Sequence, residues 1–114
     1  MEILILPTAA DVTELTARIV GERLRAKPDL VLGCATGRTM ERLYAALAAL
    51  HQTERLSFAG CRTFNLDEYV GLSKSDPRSY HAYMVEHFFK RVDLEQANTH
   101  LLNGMASDLA AEAH

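Results

Sequence analysis

Very little in this chain points toward a polymer, a membrane or a metal. Its 12 basic residues are scattered, with no basic run and no basic patch interleaved with aromatics, so the footprint of a nucleic-acid binder is missing. No apolar run approaches the roughly 18 residues needed to span a bilayer. The opening MEILILP lacks a basic n-region and is too short for a signal peptide; it reads as a strand. There are only two cysteines, Cys34 and Cys61, each inside an apolar run. They read as reduced core thiols of a cytoplasmic protein. With no CxxC and no Cys/His cluster, nothing argues for zinc. No internal repeat, low-complexity stretch or interdomain linker interrupts the chain.

What is present fits one domain. The 114 residues are close to the modal domain size, and the net charge is −3. Strand and helix patterns alternate. After the strand at 2–6, Thr8 is placed to cap a helix, with Asp11 well set against its positive N-terminus. Val12, Leu15, Ile19 and Leu24 form its apolar stripe, bordered by Val20, and Pro28 ends it. Residues 29–34 form a strand with the unbroken apolar run expected of one buried on both faces. A helix follows from about 39 to 51, carrying Met40, Leu43, Tyr44, Leu47 and Leu50. A strand at 61–66, a helix at 79–90 and a short strand at 98–102 complete the pattern. Ser107 starts a last helix that stops at His114 before it can cover a sheet. The alternation predicts an α/β fold: a Rossmann-like parallel sheet with helices on both faces, here truncated. The open face is expected to leave the isolated chain weakly stable and prone to association.

Two stretches could carry chemistry. The first is Asp67-Glu68, where an apolar strand runs into paired carboxylates before Gly71. In open α/β sheets the site lies at the carboxyl ends of the strands. Successive side chains there point oppositely, so one carboxylate faces a pocket as a candidate base. The bland alternative is a solvated turn with one carboxylate capping the next segment. The second is Gly33-Cys34-Ala35-Thr36-Gly37-Arg38-Thr39, between a strand and a helix. A helix N-terminus with a close-approach glycine and hydroxyls is a candidate phosphate cradle. Alternatively, Gly37 only turns the chain and Thr39 only caps the helix. His51, His81, His87, His100 and His114 show no metal-ligand spacing, and His81 and His87 do not share a helix face. Tyr44, Tyr80 and Tyr83 read as core, with Tyr80 the one able to reach a site.

Taken together, these stretches resemble the glucosamine-6-phosphate deaminase family of sugar-phosphate isomerases. TFNLDEYVGL at 63–72, SYHAYM at 79–84 and HLLNG at 100–104 carry the likeness, and VLGCATGRT at 31–39 resembles the family's phosphate loop. The related 6-phosphogluconolactonases have a DER-type sequence where this chain has Asp67-Glu68-Tyr69. The likeness implies a deaminase of hydrolase and aldose–ketose isomerase type. It turns glucosamine 6-phosphate into fructose 6-phosphate and ammonia, without metal or organic cofactor. It implies Asp67 as the base that moves a proton between C2 and C1. Thr36, Gly37, Arg38 and Thr39 occupy the phosphate-binding positions, and Glu68 and Tyr80 join the substrate set. Arg38 stands where the family usually has a small residue, and Met40 where it has proline. The family's second catalytic segment, a DGHIAFNEP-like stretch with the ring-opening histidine, is expected downstream. Residues 1–114 are therefore expected to be the N-terminal portion of one domain, inactive alone, with a sugar phosphate as partner and a homo-oligomer compatible with it. A galactosamine-6-phosphate-type relative and a non-catalytic sugar-phosphate binder are the alternatives.

Overall fold

In the computed structural model, residues 3, 5–107 and 112 are described. Thr8 caps α1 (Ala9–Ala26): its hydroxyl accepts the Asp11 N–H at 3.1 Å and donates to the Asp11 carboxylate at 2.9 Å. Then come β1 (Val31–Cys34), α2 (Arg38–Glu54), β2 (Arg62–Asn65), α3 (Tyr80–His87) and β3 (Thr99–His100). The strands form a parallel sheet in the order β1-β2-β3, with Cys34 opposite Asn65 and Phe64 opposite His100. The expected α/β class with parallel strands is what the structure shows. Of the strand expected at 2–6, Ile3, Ile5 and Leu6 are described, and they join no sheet. The helix expected from Ser107 lies, apart from Ser107 and a helical Glu112, outside the described residues.

Alternation along the strands separates the faces. Leu32, Cys34, Thr63, Asn65 and Thr99 lie on the covered face. Val31, Gly33, Arg62, Phe64 and His100 lie on the other and are exposed. Among the described residues, that second face carries no helix. Phe64 and His100 stack on it with ring centroids 4.5 Å apart. The strands are therefore not covered on both faces, as the apolar run at 29–34 suggested; Val31 is about half exposed.

The core sits between α2, α3 and the covered face. Phe88 is fully buried, stacks on Tyr44 at 4.9 Å and meets Phe58 edge-on at 5.3 Å. This explains why α3 stops at His87 rather than continuing to residue 90. Phe88 leaves helical geometry (φ −139°), and a 3₁₀ turn, Phe89–Arg91, follows. Cys34 and Cys61 are free and buried; burial pushes the Cys34 thiol up to about 11. Of the expected stripe of α1, Leu24 is buried and the bordering Val20 packs against the core, alongside the buried Ala17 and Gly21, but Val12 and Ile19 are exposed. The small residues let α1 approach α2 closely: a side chain at Gly21 would meet Leu50 of α2 at 3.6 Å and Leu56, just beyond that helix, at 3.3 Å. Asp93 ties the far end together, accepting the Phe58 N–H at 2.6 Å and the Ser57 hydroxyl at 2.8 Å.

Replacing Phe88 by Ala should destabilise the fold by about 3–5 kcal/mol, because the transfer and cavity terms add at a site with no exposure. Urea unfolding measures it. A loss under about 1 kcal/mol would show that the core collapses around the gap and that the aromatic stack is not its centre.

Candidate functional site

Parallel pairing puts the loops after β1 and β2 at one edge of the sheet. Cys34 and Asn65 are opposite each other, so residues 35–37 and 66–68 leave from neighbouring positions. Both loops carry the residues singled out in the sequence.

The first loop turns at Gly37, whose φ is +124°, a conformation few side chains adopt. A Cβ built on Gly37 would meet nothing within 4 Å, so the space beside it is open. Gly37 is the N-cap of α2, which begins at Arg38; Thr39 lies inside the first turn and is not the cap. No side chain caps α2, in contrast to α1 and α3. The first-turn N–H groups of Arg38, Thr39 and Met40 have no intrahelical acceptor, which makes this end attractive to an anion. Thr36 is half-buried and Gly37, Arg38 and Thr39 are exposed. Arg38 and Thr39 also line a groove of about 330 Å³ shared with Val12, Thr13 and Arg42, so Arg38 borders the start of α1.

The acidic loop divides its two carboxylates. Asp67 is exposed. Glu68 is half-buried and turned onto α3: its Oε1 accepts the N–H of Tyr69 at 2.9 Å and of Tyr80 at 2.8 Å, and its Oε2 accepts that of His81 at 2.9 Å. The Ser79 hydroxyl accepts the Ala82 N–H at 3.0 Å, so three successive donors at the start of α3 are satisfied. The loop is held from the far side as well. Gly71 N–H donates to the Gly104 carbonyl at 2.8 Å, and a Cβ at Gly104 would lie 2.1 Å from the Tyr69 carbonyl. Only glycine fits where the HLLNG turn meets this loop.

Tyr80 touches the acidic loop. Its ring lies 4.7 Å from that of Tyr69, and the hydroxyls are 3.3 Å apart. That hydrogen bond, reinforced by the Tyr80, Asp67 and Glu68 charges, raises the Tyr69 hydroxyl above its usual range. Asn65, the last residue of β2, holds a buried side-chain oxygen that finds no partner among the described residues. Tyr83 packs against the core, as the sequence suggested, and in addition its hydroxyl donates to the Gly37 carbonyl at 2.7 Å and accepts the Gly37 N–H at 3.1 Å. Tyr44 is core, as expected, and its hydroxyl donates to the Ala35 carbonyl of the same loop. Nothing in the spacing marks these two phenols, because the contacts join residues 46 and nine positions apart.

A cleft of about 470 Å³ lies between Glu68, Lys74 and His81 and the turn at Leu102, Asn103 and Met105. Asp67, Tyr80 and residues 36–39 do not line it. Among the described residues no group of three or more His, Cys, Asp or Glu could hold a metal ion, and no helix is long and apolar enough to cross a membrane.

No family model matches the chain. Glucosamine-6-phosphate deaminase 1 of Bacillus subtilis is 46% identical over 112 residues, covering 98% of this chain and 46% of that protein. Glucosamine-6-phosphate deaminase 1 of Giardia intestinalis is 47% identical over 103 residues, 90% of this chain and 39% of that protein. The solved structure of a monomeric glucosamine-6-phosphate deaminase superimposes with a TM-score of 0.94 at 46% identity, covering 98% of this chain and 46% of that one. A 6-phosphogluconolactonase from Thermotoga maritima, 20% identical with a TM-score of 0.71, shares the fold. The chain spans less than half the length of the deaminases it matches.

Glu68→Gln tests the cap. An amide accepts through one oxygen only and would turn an N–H toward one of the three backbone donors. We expect a loss of about 1–3 kcal/mol, read as a lower thermal midpoint. An unchanged midpoint would mean that α3 does not depend on this carboxylate.

Proposed function

We propose that this chain, homologous over nearly its whole length to glucosamine-6-phosphate deaminases, is the phosphate-loop and proton-transfer half of such an enzyme. The observation that carries the reading is the 46% identity over 98% of the chain, spanning both loops at one sheet edge. The substrate class is an amino-sugar 6-phosphate. Its phosphate would sit on the N–H groups that open α2, with Gly37 leaving room for close approach and Thr36, Arg38 and Thr39 adding donors. The opened sugar would then place C2 and C1 over the acidic loop.

In this reading Asp67 is the base. Its carboxylate takes the proton from C2 and returns it to C1, converting the amino aldose into a ketose imine. Water adds to that imine, and ammonia leaves. Glu68, with both oxygens engaged by backbone donors, holds the loop and α3 together rather than moving the proton, and Tyr80 closes the side of the pocket. The ring-opening histidine that the family likeness implies is not in these 114 residues. The chain alone is therefore expected to release no ammonia. The hydrolytic step and a cytoplasmic setting belong to the same proposal; buried, free Cys34 and Cys61 fit the latter.

Two substitutions test it. Gly37→Val crowds the anion and forbids the positive φ, so fructose 6-phosphate affinity, measured by calorimetry, should collapse. Unchanged affinity in a folded variant would remove the phosphate loop from the site. Asp67→Asn, in a chimera completed with the remainder of the Bacillus subtilis relative, should slow solvent deuterium exchange at C2 by about 10²–10⁴-fold. Normal exchange in that variant, with exchange lost in Glu68→Gln, would reverse the roles of the two carboxylates.

A further inference from the structure

We propose that Tyr83 is a positioning residue for the phosphate loop: it clamps both polar groups of Gly37, so that a bound phosphate takes its backbone donors from Arg38, Thr39 and Met40 and not from Gly37. The inference rests on the phosphate-loop reading above. Glycine has the widest backbone freedom of any residue, and a loop built on it loses most of that freedom when it binds. At Gly37 the freedom is already removed. The Tyr83 hydroxyl donates to the carbonyl at 2.7 Å and accepts the N–H at 3.1 Å, closing a two-bond clasp around one residue held at φ +124°. The same carbonyl accepts the Glu41 N–H at 3.1 Å, the first turn of α2, so clasp and helix start share an acceptor.

The clasp is itself braced. The Tyr83 ring rests against His87 with centroids 4.5 Å apart, and His87 Nε2 lies 3.4 Å from a Glu41 carboxylate oxygen on α2. Side chains cap α1 and α3 by accepting a first-turn N–H, whereas Tyr83 fixes only the Gly37 residue that precedes α2 and leaves the end of that helix clear for a ligand. A side-chain cap there would occupy the donors a phosphate needs.

Amide NMR on the 114-residue protein is the test, with inorganic phosphate and then fructose 6-phosphate as probes. In the wild-type protein, the Arg38, Thr39 and Met40 amides should shift on titration. The Gly37 amide should move least and exchange slowly with solvent. Tyr83→Phe keeps the ring and removes the hydroxyl. It should speed Gly37 exchange, let the Gly37 amide join the titrating set, and weaken fructose 6-phosphate binding roughly 3–10-fold, the worth of one or two net hydrogen bonds. A purely structural role would lower stability without redrawing which amides respond. If the wild-type protein responds to neither probe, the phosphate-loop reading fails and takes the clamp with it. If it binds and Tyr83→Phe binds equally well, the clamp fails and the loop stands. Should Tyr83→Phe not fold, the wild-type titration decides alone: a Gly37 amide that moves as far as that of Arg38 overturns the proposal, and one that stays protected and still supports it.

Discussion

The Glu68 carboxylate is the point on which the rest of the candidate site hangs. A charged acceptor is well placed at the positive start of a helix, where it also satisfies donors that the helix cannot. Here it takes Tyr80 and His81 from α3 and Tyr69 from its own loop, while Ser79 takes Ala82. One residue thus fixes where the acidic loop ends and where α3 begins. From that origin α3 delivers Tyr80 to the ring of Tyr69 and, one turn on, Tyr83 to Gly37. The two loops that carry the candidate chemistry are linked through a helix that neither belongs to. Their separation in sequence is large, but their supports converge on eight residues.

A parallel sheet makes the convergence possible. Because β1 and β2 run the same way, both loops emerge at the same edge, and each next helix must cross back over one face. All the described helices pack on the face of Leu32, Cys34 and Thr63. The opposite face shows Val31, Phe64 and His100 to solvent, and α1 leaves Val12 and Ile19 exposed. Such apolar surface is what a layer of further helices would cover, and the matching deaminases are more than twice as long as this chain.

Local chemistry was legible in the residues. Thr8 with Asp11, the stop before Pro28, the apolar strands and the turn at Gly37 each depend on neighbours within a few positions. The motif at 63–72 was legible for the same reason. The buried side of α1 was legible only in part. Periodicity picked out Leu24, with Val20 at its border, but also Val12 and Ile19, which are exposed; packing added Ala17 and Gly21, because two helices can approach closely only where side chains are small. Nor was the early end of α3 legible, since Phe88 gives up helical geometry for a place between Tyr44 and Phe58 that no local rule announces. The same holds for the alternative reading of Thr39 as a cap: the cap is Gly37, and Thr39 lies inside the first turn.

By itself, then, the sequence determined the α/β class, the order of most of its elements, the acidic loop and the glycine turn, all of them set by short-range sterics, hydrogen bonding and hydrophobic period. It also offered both carboxylates to the site. Tertiary structure set their surroundings, turning Glu68 inward to α3 and leaving Asp67 exposed, and it joined Tyr83, packed against the core, to the Gly37 loop. Those assignments are hydrogen bonds between residues 12, 13 and 46 positions apart, and their partners become neighbours only once helix, loop and sheet have packed.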